Sequence, residues 1–70
     1  MKLGARNQLK GAVVAIDKGA VNSIVKIEVA PGVVLTSSIT NASVAELGLA
    51  EGSEAYAVVK ASNVLVGIDD

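Results

Sequence analysis

Polar and apolar positions alternate along most of this chain, and Gly, Pro, Asn and Asp interrupt the alternation at short intervals. A period of two with regular turn signals predicts a mainly β chain. Leu9–Ile16 forms a first strand, in which Gly11 marks a bend or a close backbone approach. Asp17-Lys18-Gly19-Ala20 makes a tight turn. Val21–Val29 alternates most cleanly: Ser23, Val25, Ile27 and Val29 share one face, and Asn22, Ile24, Lys26 and Glu28 the other. Ala30-Pro31-Gly32 is a hairpin corner, with Pro preset in φ and Gly free to take φ > 0. Val33–Thr40 is a third strand, with Val33, Leu35, Ser37 and Ile39 on one face.

The period then changes. Thr40 or Asn41 can cap a short helix, Val44 and Leu47 give it an inward stripe, Gly48 ends it, and Leu49 packs back behind the C-cap. Glu51-Gly52-Ser53 turns the chain into two last strands, Glu54–Lys60 and Val64–Ile68, separated by Ala61-Ser62-Asn63. Asp69-Asp70 is a solvated tail. Five strands with one short helix between the third and fourth is the order of an OB-like barrel, so the expected fold is all-β. Closing the sheet would also remove exposed edges from a Val-rich chain. With 70 residues and no linker or repeat, residues 1–70 are expected to form a single domain.

Composition narrows the chemistry. Half the residues are apolar (51%), yet Tyr56 is the only aromatic ring. A chain this short buries a modest share of its surface, and here no disulfide or large ring adds to the core. Other copies of the same chain are the remaining cover for its Val, Ile and Ala surface. There is no Cys and no His, which removes zinc sites with the usual ligands, haem ligation and His- or Cys-based nucleophilic catalysis. Six basic and seven acidic side chains leave a net charge of −1. A nucleic-acid surface on such a barrel would need a basic groove and stacking platforms, and neither is supplied. Apolar runs such as Ala12–Ile16 are far short of a membrane span. Met1-Lys2-Leu3 leads into Gly4-Ala5-Arg6-Asn7 without the apolar core of a signal peptide, so a cytoplasmic address is expected. The carboxylates are scattered over turns and exposed faces, and no nucleotide fingerprint is present. No organic cofactor and no catalytic residues are expected.

Two donor-rich segments remain. Gly4-Ala5-Arg6-Asn7 and Lys60-Ala61-Ser62-Asn63 each set a cation among small residues whose backbone N–H groups can be approached closely. Between them they hold a guanidinium, an ammonium, a hydroxyl and two amides, without a carboxylate. That inventory suits a small oxyanion. It is equally the inventory of two ordinary loops, with surface charges at Arg6 and Lys60 and turn residues at Asn7, Ser62 and Asn63.

The opening Gly4-Ala-Arg-Asn-Gln-Leu-Lys-Gly11 resembles the start of the molbindins, the small Mop-type molybdate-binding proteins, which usually begin Ser-Ala-Arg-Asn-Gln. Ile39-Thr-Asn-Ala-Ser-Val-Ala-Glu-Leu-Gly-Leu49 and Glu54-Ala-Tyr-Ala-Val-Val-Lys-Ala-Ser-Asn-Val64 are also similar to that family, in order and across nearly the whole chain. The resemblance implies an OB-like barrel and a homohexamer built as a trimer of dimers. It also implies storage or buffering of molybdate or tungstate, bound at subunit interfaces. By position, the main interface site takes Gly4, Ala5 and Arg6 from one chain, beside Asn7, and Lys60, Ala61 and Ser62 from a neighbour. A second site is implied around Lys18, Gly19, Ala20 and Val21 with Ser38, Thr40 and Asn41. Gly4 stands where the family usually has Ser, so one hydroxyl donor is missing. The residues agree with the implied ligand: molybdate at neutral pH is a dianion without a proton, and its oxygens only accept. An all-donor site satisfies it, whereas protonated phosphate also needs an acceptor.

Overall fold

The computed structural model describes residues 4–70. Its elements are strand β1 (Asn7–Lys18), strand β2 (Asn22–Ala30), strand β3 (Val33–Thr40), helix α1 (Asn41–Leu47), strand β4 (Glu54–Val59) and a 3-10 turn at Ala61–Asn63. The strands form one antiparallel sheet in the order β3-β2-β1-β4, curled into a half-barrel.

Strand β1 makes the curl possible. Its first half pairs with β4, from Asn7 opposite Val59 to Ala12 opposite Glu54. Its second half pairs with β2, from Ala12 opposite Glu28 to Lys18 opposite Ser23. The bend comes where the partners change. A side chain at Gly11 would run into the carbonyl of Glu28 and the Ile27 side chain. The register slips by one residue between Val13 and Ala15, a bulge that increases local twist. The expected close approach at Gly11 is therefore real, and β1 extends two residues beyond Leu9–Ile16 at each end.

The alternation expected of β2 is borne out. Ser23, Val25 and Ile27 are buried, Val29 is half-buried, and the other face is exposed. Val13, Val25, Ile27 and Ala57 make the buried core, with Ile16, Val29, Leu35, Ile39, Val44, Leu49 and Ala55 packed against it. Thr40 is the helix cap: its Oγ1 accepts from the Ser43 amide at 3.0 Å. Gly48 closes the helix at φ 62°, a left-handed conformation that favours glycine. Leu49 packs back as expected, and its amide reaches the Val44 carbonyl. Leu47 departs from expectation: it is 68% exposed, and Val44 alone seats the helix on the core.

The larger correction is the strand count. Among the described residues four strands form, not five, and the barrel is not closed. Val64–Ile68 joins no ladder, and Leu65, Val66 and Ile68 are each more than nine-tenths exposed. The segment has strand composition but pairs with neither edge of its own protomer's sheet. Both edges of the sheet, β3 and β4, stay open.

Crowding at the bend predicts that Gly11→Ala costs about 1–3 kcal/mol through overpacking. Urea unfolding measures this, and an unchanged midpoint would show that the β1–β2 contact has room to relax.

Candidate functional site

The two donor segments meet at one end of the protomer. Asn7 is the last residue of β1 paired with β4, opposite Val59. Its side-chain Nδ2 donates to the Val59 carbonyl at 3.1 Å, tying the ladder shut at that end. Arg6 and Lys60 are the next residues outward on the two strands. Both are exposed, as are Gly4, Ala61 and Ser62, while Ala5 and Asn7 are half-buried. Among the described residues the one ion pair is Lys10–Glu54 at 3.5 Å. Arg6 and Lys60 thus enter no ion pair with a described carboxylate, and both charges remain available to an incoming anion.

Backbone geometry supports the same use. The 3-10 turn is held by the Asn63 amide donating to Lys60 O (2.8 Å) and the Val64 amide donating to Ala61 O (3.2 Å). These bonds leave the amides of Ala61 and Ser62 pointing out of the turn's hydrogen-bond pattern. On the facing segment, Gln8 Nε2 donates to the Ala5 carbonyl at 3.1 Å. That bond occupies the backbone acceptor next to Arg6 in the chain. Gln8 is a residue that the sequence reading left out of the site. Its position directly after Asn7 was the available signal.

The second predicted cluster is also assembled, at the far end of β1. The Gly19 amide donates to Asn22 O at 2.8 Å, closing the turn. Asn41 then clasps it: its amide donates to Val21 O (2.8 Å), its Nδ2 donates to Gly19 O (2.9 Å), and its Oδ1 accepts from Ser23 Oγ (2.5 Å). The sheet register places Thr40 opposite Asn22 and Ser38 opposite Ile24. Lys18, Gly19, Ala20 and Val21 therefore lie beside Ser38, Thr40 and Asn41, and all but Asn41 are exposed. The polar groups of Asn41 are spent on the clasp, leaving Lys18 as the charged donor of this cluster. A 12-residue strand separates the two clusters, a contour of roughly 36 Å, so one small anion cannot bridge them within a protomer.

No three metal-ligating side chains gather among the described residues. A cleft of about 400 Å3 opens between β3 and β4, with Val25 and Ile27 as its floor and Ser37, Ile39, Tyr56 and Val58 on its sides. Its lining is mostly apolar, which suits a hydrophobic occupant and not a dianion.

Residues 4–66 match the TOBE domain. A probable molybdenum-pterin-binding protein of Haemophilus influenzae is 54% identical over 69 residues, covering 99% of this chain and all of that protein. The chain belongs to the Mop-type molbindins of the TOBE family. The solved structure of MopII from Clostridium pasteurianum superposes with a TM-score of 0.89 at 48% identity, covering 96% of this chain and all of MopII. ModG, described as a cytoplasmic molybdate-binding protein and solved with molybdate bound, matches with a TM-score of 0.92 at 48% identity. This molbindin covers 49% of ModG and 99% of itself is matched. The family is one of binding proteins and not of enzymes.

The clasp at Asn41 makes a testable demand on stability. Asn41→Ala leaves the Ser23 hydroxyl buried without its acceptor, a loss of about 1–3 kcal/mol. Thermal or urea unfolding of Asn41→Ala beside Asn41→Asp, which keeps the acceptor, separates that bond from the rest of the turn. Equal stability of wild type and Asn41→Ala would remove Asn41 as the organising residue of the second cluster.

Proposed function

We propose that this molbindin binds molybdate and tungstate without chemical conversion, and stores or buffers them in the cytoplasm as a homohexamer arranged as a trimer of dimers. The observation that carries this reading is the convergence of Gly4–Asn7 and Lys60–Ser62 on one end of the β1–β4 ladder, with both cations unpaired among the described residues. A tetrahedral dianion needs several donors and tolerates no facing carboxylate. Molybdate in the ModG structure and the names of the Mop relatives support the ligand class.

The site lies between subunits. Each protomer exposes one guanidinium and one ammonium at the same end, so two copies meeting there set Arg6 of one beside Lys60 of the other. Pooling these charges lets a chain of net charge −1 hold anions. Ser62 adds a hydroxyl, and Ala5 and Ala61 add backbone amides. Lys18 and the turn around it serve a second anion site where copies meet at the opposite end of β1.

Gly4 favours a second reading, in which the assembly persists but this site binds weakly. Relative to the usual Ser, one hydroxyl donor to the dianion is lost. A hydrogen bond to a charged group is worth about 1.5–3 kcal/mol, one to two powers of ten in affinity. Nothing lies within 4 Å of a side chain placed at Gly4, so a serine fits there without displacement.

Titration calorimetry with sodium molybdate tests the binding role: saturable heat is expected, and none at millimolar ligand overturns it. Arg6→Ala and Lys60→Ala are each expected to weaken binding about tenfold or more with an unchanged unfolding midpoint, since both side chains are exposed. Undiminished affinity in either variant takes that residue out of the site. Gly4→Ser is expected to tighten binding by about ten- to a hundredfold. If it restores binding to a protein otherwise silent in calorimetry, the second reading holds.

A further inference from the structure

Asn7 and Gln8 carry neighbouring carboxamides at the start of β1, and side chains that follow one another along a strand leave it on opposite faces. Each carboxamide grips the carbonyl of the peptide that leads into one of the two cations. Gln8 Nε2 reaches back to the Ala5 carbonyl at 3.1 Å, and the Ala5–Arg6 peptide leads into Arg6. Asn7 Nδ2 crosses to β4 and donates to the Val59 carbonyl at 3.1 Å, and the Val59–Lys60 peptide leads into Lys60. We propose that Asn7 and Gln8 are positioning residues of the anion site: their carboxamides hold these two peptides with the oxygen turned away from the anion and the Arg6 and Lys60 N–H groups turned toward it. This role rests on the oxyanion-binding reading above and adds to it the residues that aim its backbone donors.

The peptide bond supplies the leverage. Among the described residues every peptide is trans, and in a trans peptide the carbonyl and the N–H point in opposite directions. Fixing the oxygen therefore fixes the direction of the donor that follows it. Among the described residues, neither the Arg6 amide nor the Lys60 amide donates to a backbone carbonyl. Both lie just outside the β1–β4 ladder, which ends at Asn7 and Val59, so no strand pairing orients them. Packing does not hold the first segment either: Gly4 and Arg6 are exposed, and nothing lies within 4 Å of a side chain placed at Gly4. A loop peptide without such a grip is free to rotate and present its oxygen, and an oxygen facing a dianion repels it. A carboxamide suits the task because it donates without carrying a charge. A carboxylate at either position would donate nothing and would repel the anion. Asn7 and Gln8 thus act through the backbone, one on each donor segment.

Gln8→Met and Asn7→Leu in the full-length chain keep the size of each side chain and remove its donor. With sodium molybdate as the probe, calorimetry is expected to show about three- to tenfold weaker binding in each variant. Amide proton shifts in isotope-labelled protein separate the two grips. Saturating molybdate is expected to move the Arg6 and Lys60 amides in the wild type. Gln8→Met is expected to diminish the Arg6 shift alone, and Asn7→Leu the Lys60 shift alone. Gln8 is exposed, so Gln8→Met is expected to keep the wild-type unfolding midpoint, and it carries the test if Asn7→Leu does not fold. Wild-type affinity in Gln8→Met, or a loss shared equally by both amides in that variant, overturns the positioning role and leaves the binding proposal standing. A wild type that takes up no molybdate overturns the binding proposal and the positioning role with it.

Discussion

The structure depends on one apolar contact, between Val13 on β1 and Val25 and Ile27 on β2, made close by the absence of a side chain at Gly11. Because β1 can approach β2 this closely and then slip register at the bulge, it serves two partners. It pairs with β4 through its first half and with β2 through its second. The sheet curls as a consequence, and the curl brings Ala57 of β4 over the same core. Each fully buried Val or Ile contributes about 1.5–3 kcal/mol, and very few side chains here are fully buried. The contact sets the shape of the protomer but leaves much of its apolar surface in water.

That deficit and the binding chemistry have a common origin. A curl without closure gives the sheet two free edges and leaves Val64–Ile68 outside. The same ladder that ends at Asn7 and Val59 delivers to that end two cations that pair with no described carboxylate. In the proposed assembly, hydrophobic surface would drive copies together, and the cations would lie where the contact is made. Mutual repulsion between these cations would oppose assembly, and a dianion between them relieves it. If the proposed site forms between copies, anion and assembly reinforce each other by linkage, since a ligand that binds only the assembled form stabilises that form.

Much of this was legible in the sequence because the alternating pattern is strict. β2 reads correctly residue by residue, and Thr40, Gly48 and Leu49 fix the helix and its exit. The donor segments could be singled out because small residues, amides and cations occur together without a carboxylate. Their meeting in one chain could not, since it follows from the β1–β4 register, which periodicity does not encode. Asn41 was visible as a capping candidate and, through the family resemblance, as a member of the second site, but its clasp was not. Its actual partners, Gly19 and Ser23, come from a different hairpin. Leu47 was misread because helical spacing places it beside Val44, while the helix is too short to bury both.

The fifth strand is the instructive failure. Val64–Ile68 has every local property of a strand, and local properties are what a sequence pattern reports. A strand is completed by its neighbour, and Val64–Ile68 pairs with neither free edge of its own protomer's sheet. In a barrel short of one strand, an unpaired apolar segment and an empty apolar cleft each expose backbone donors and acceptors that water satisfies only at the cost of leaving side chains wet. The pattern in the chain thus reports the composition of this segment and not whether a neighbour pairs with it.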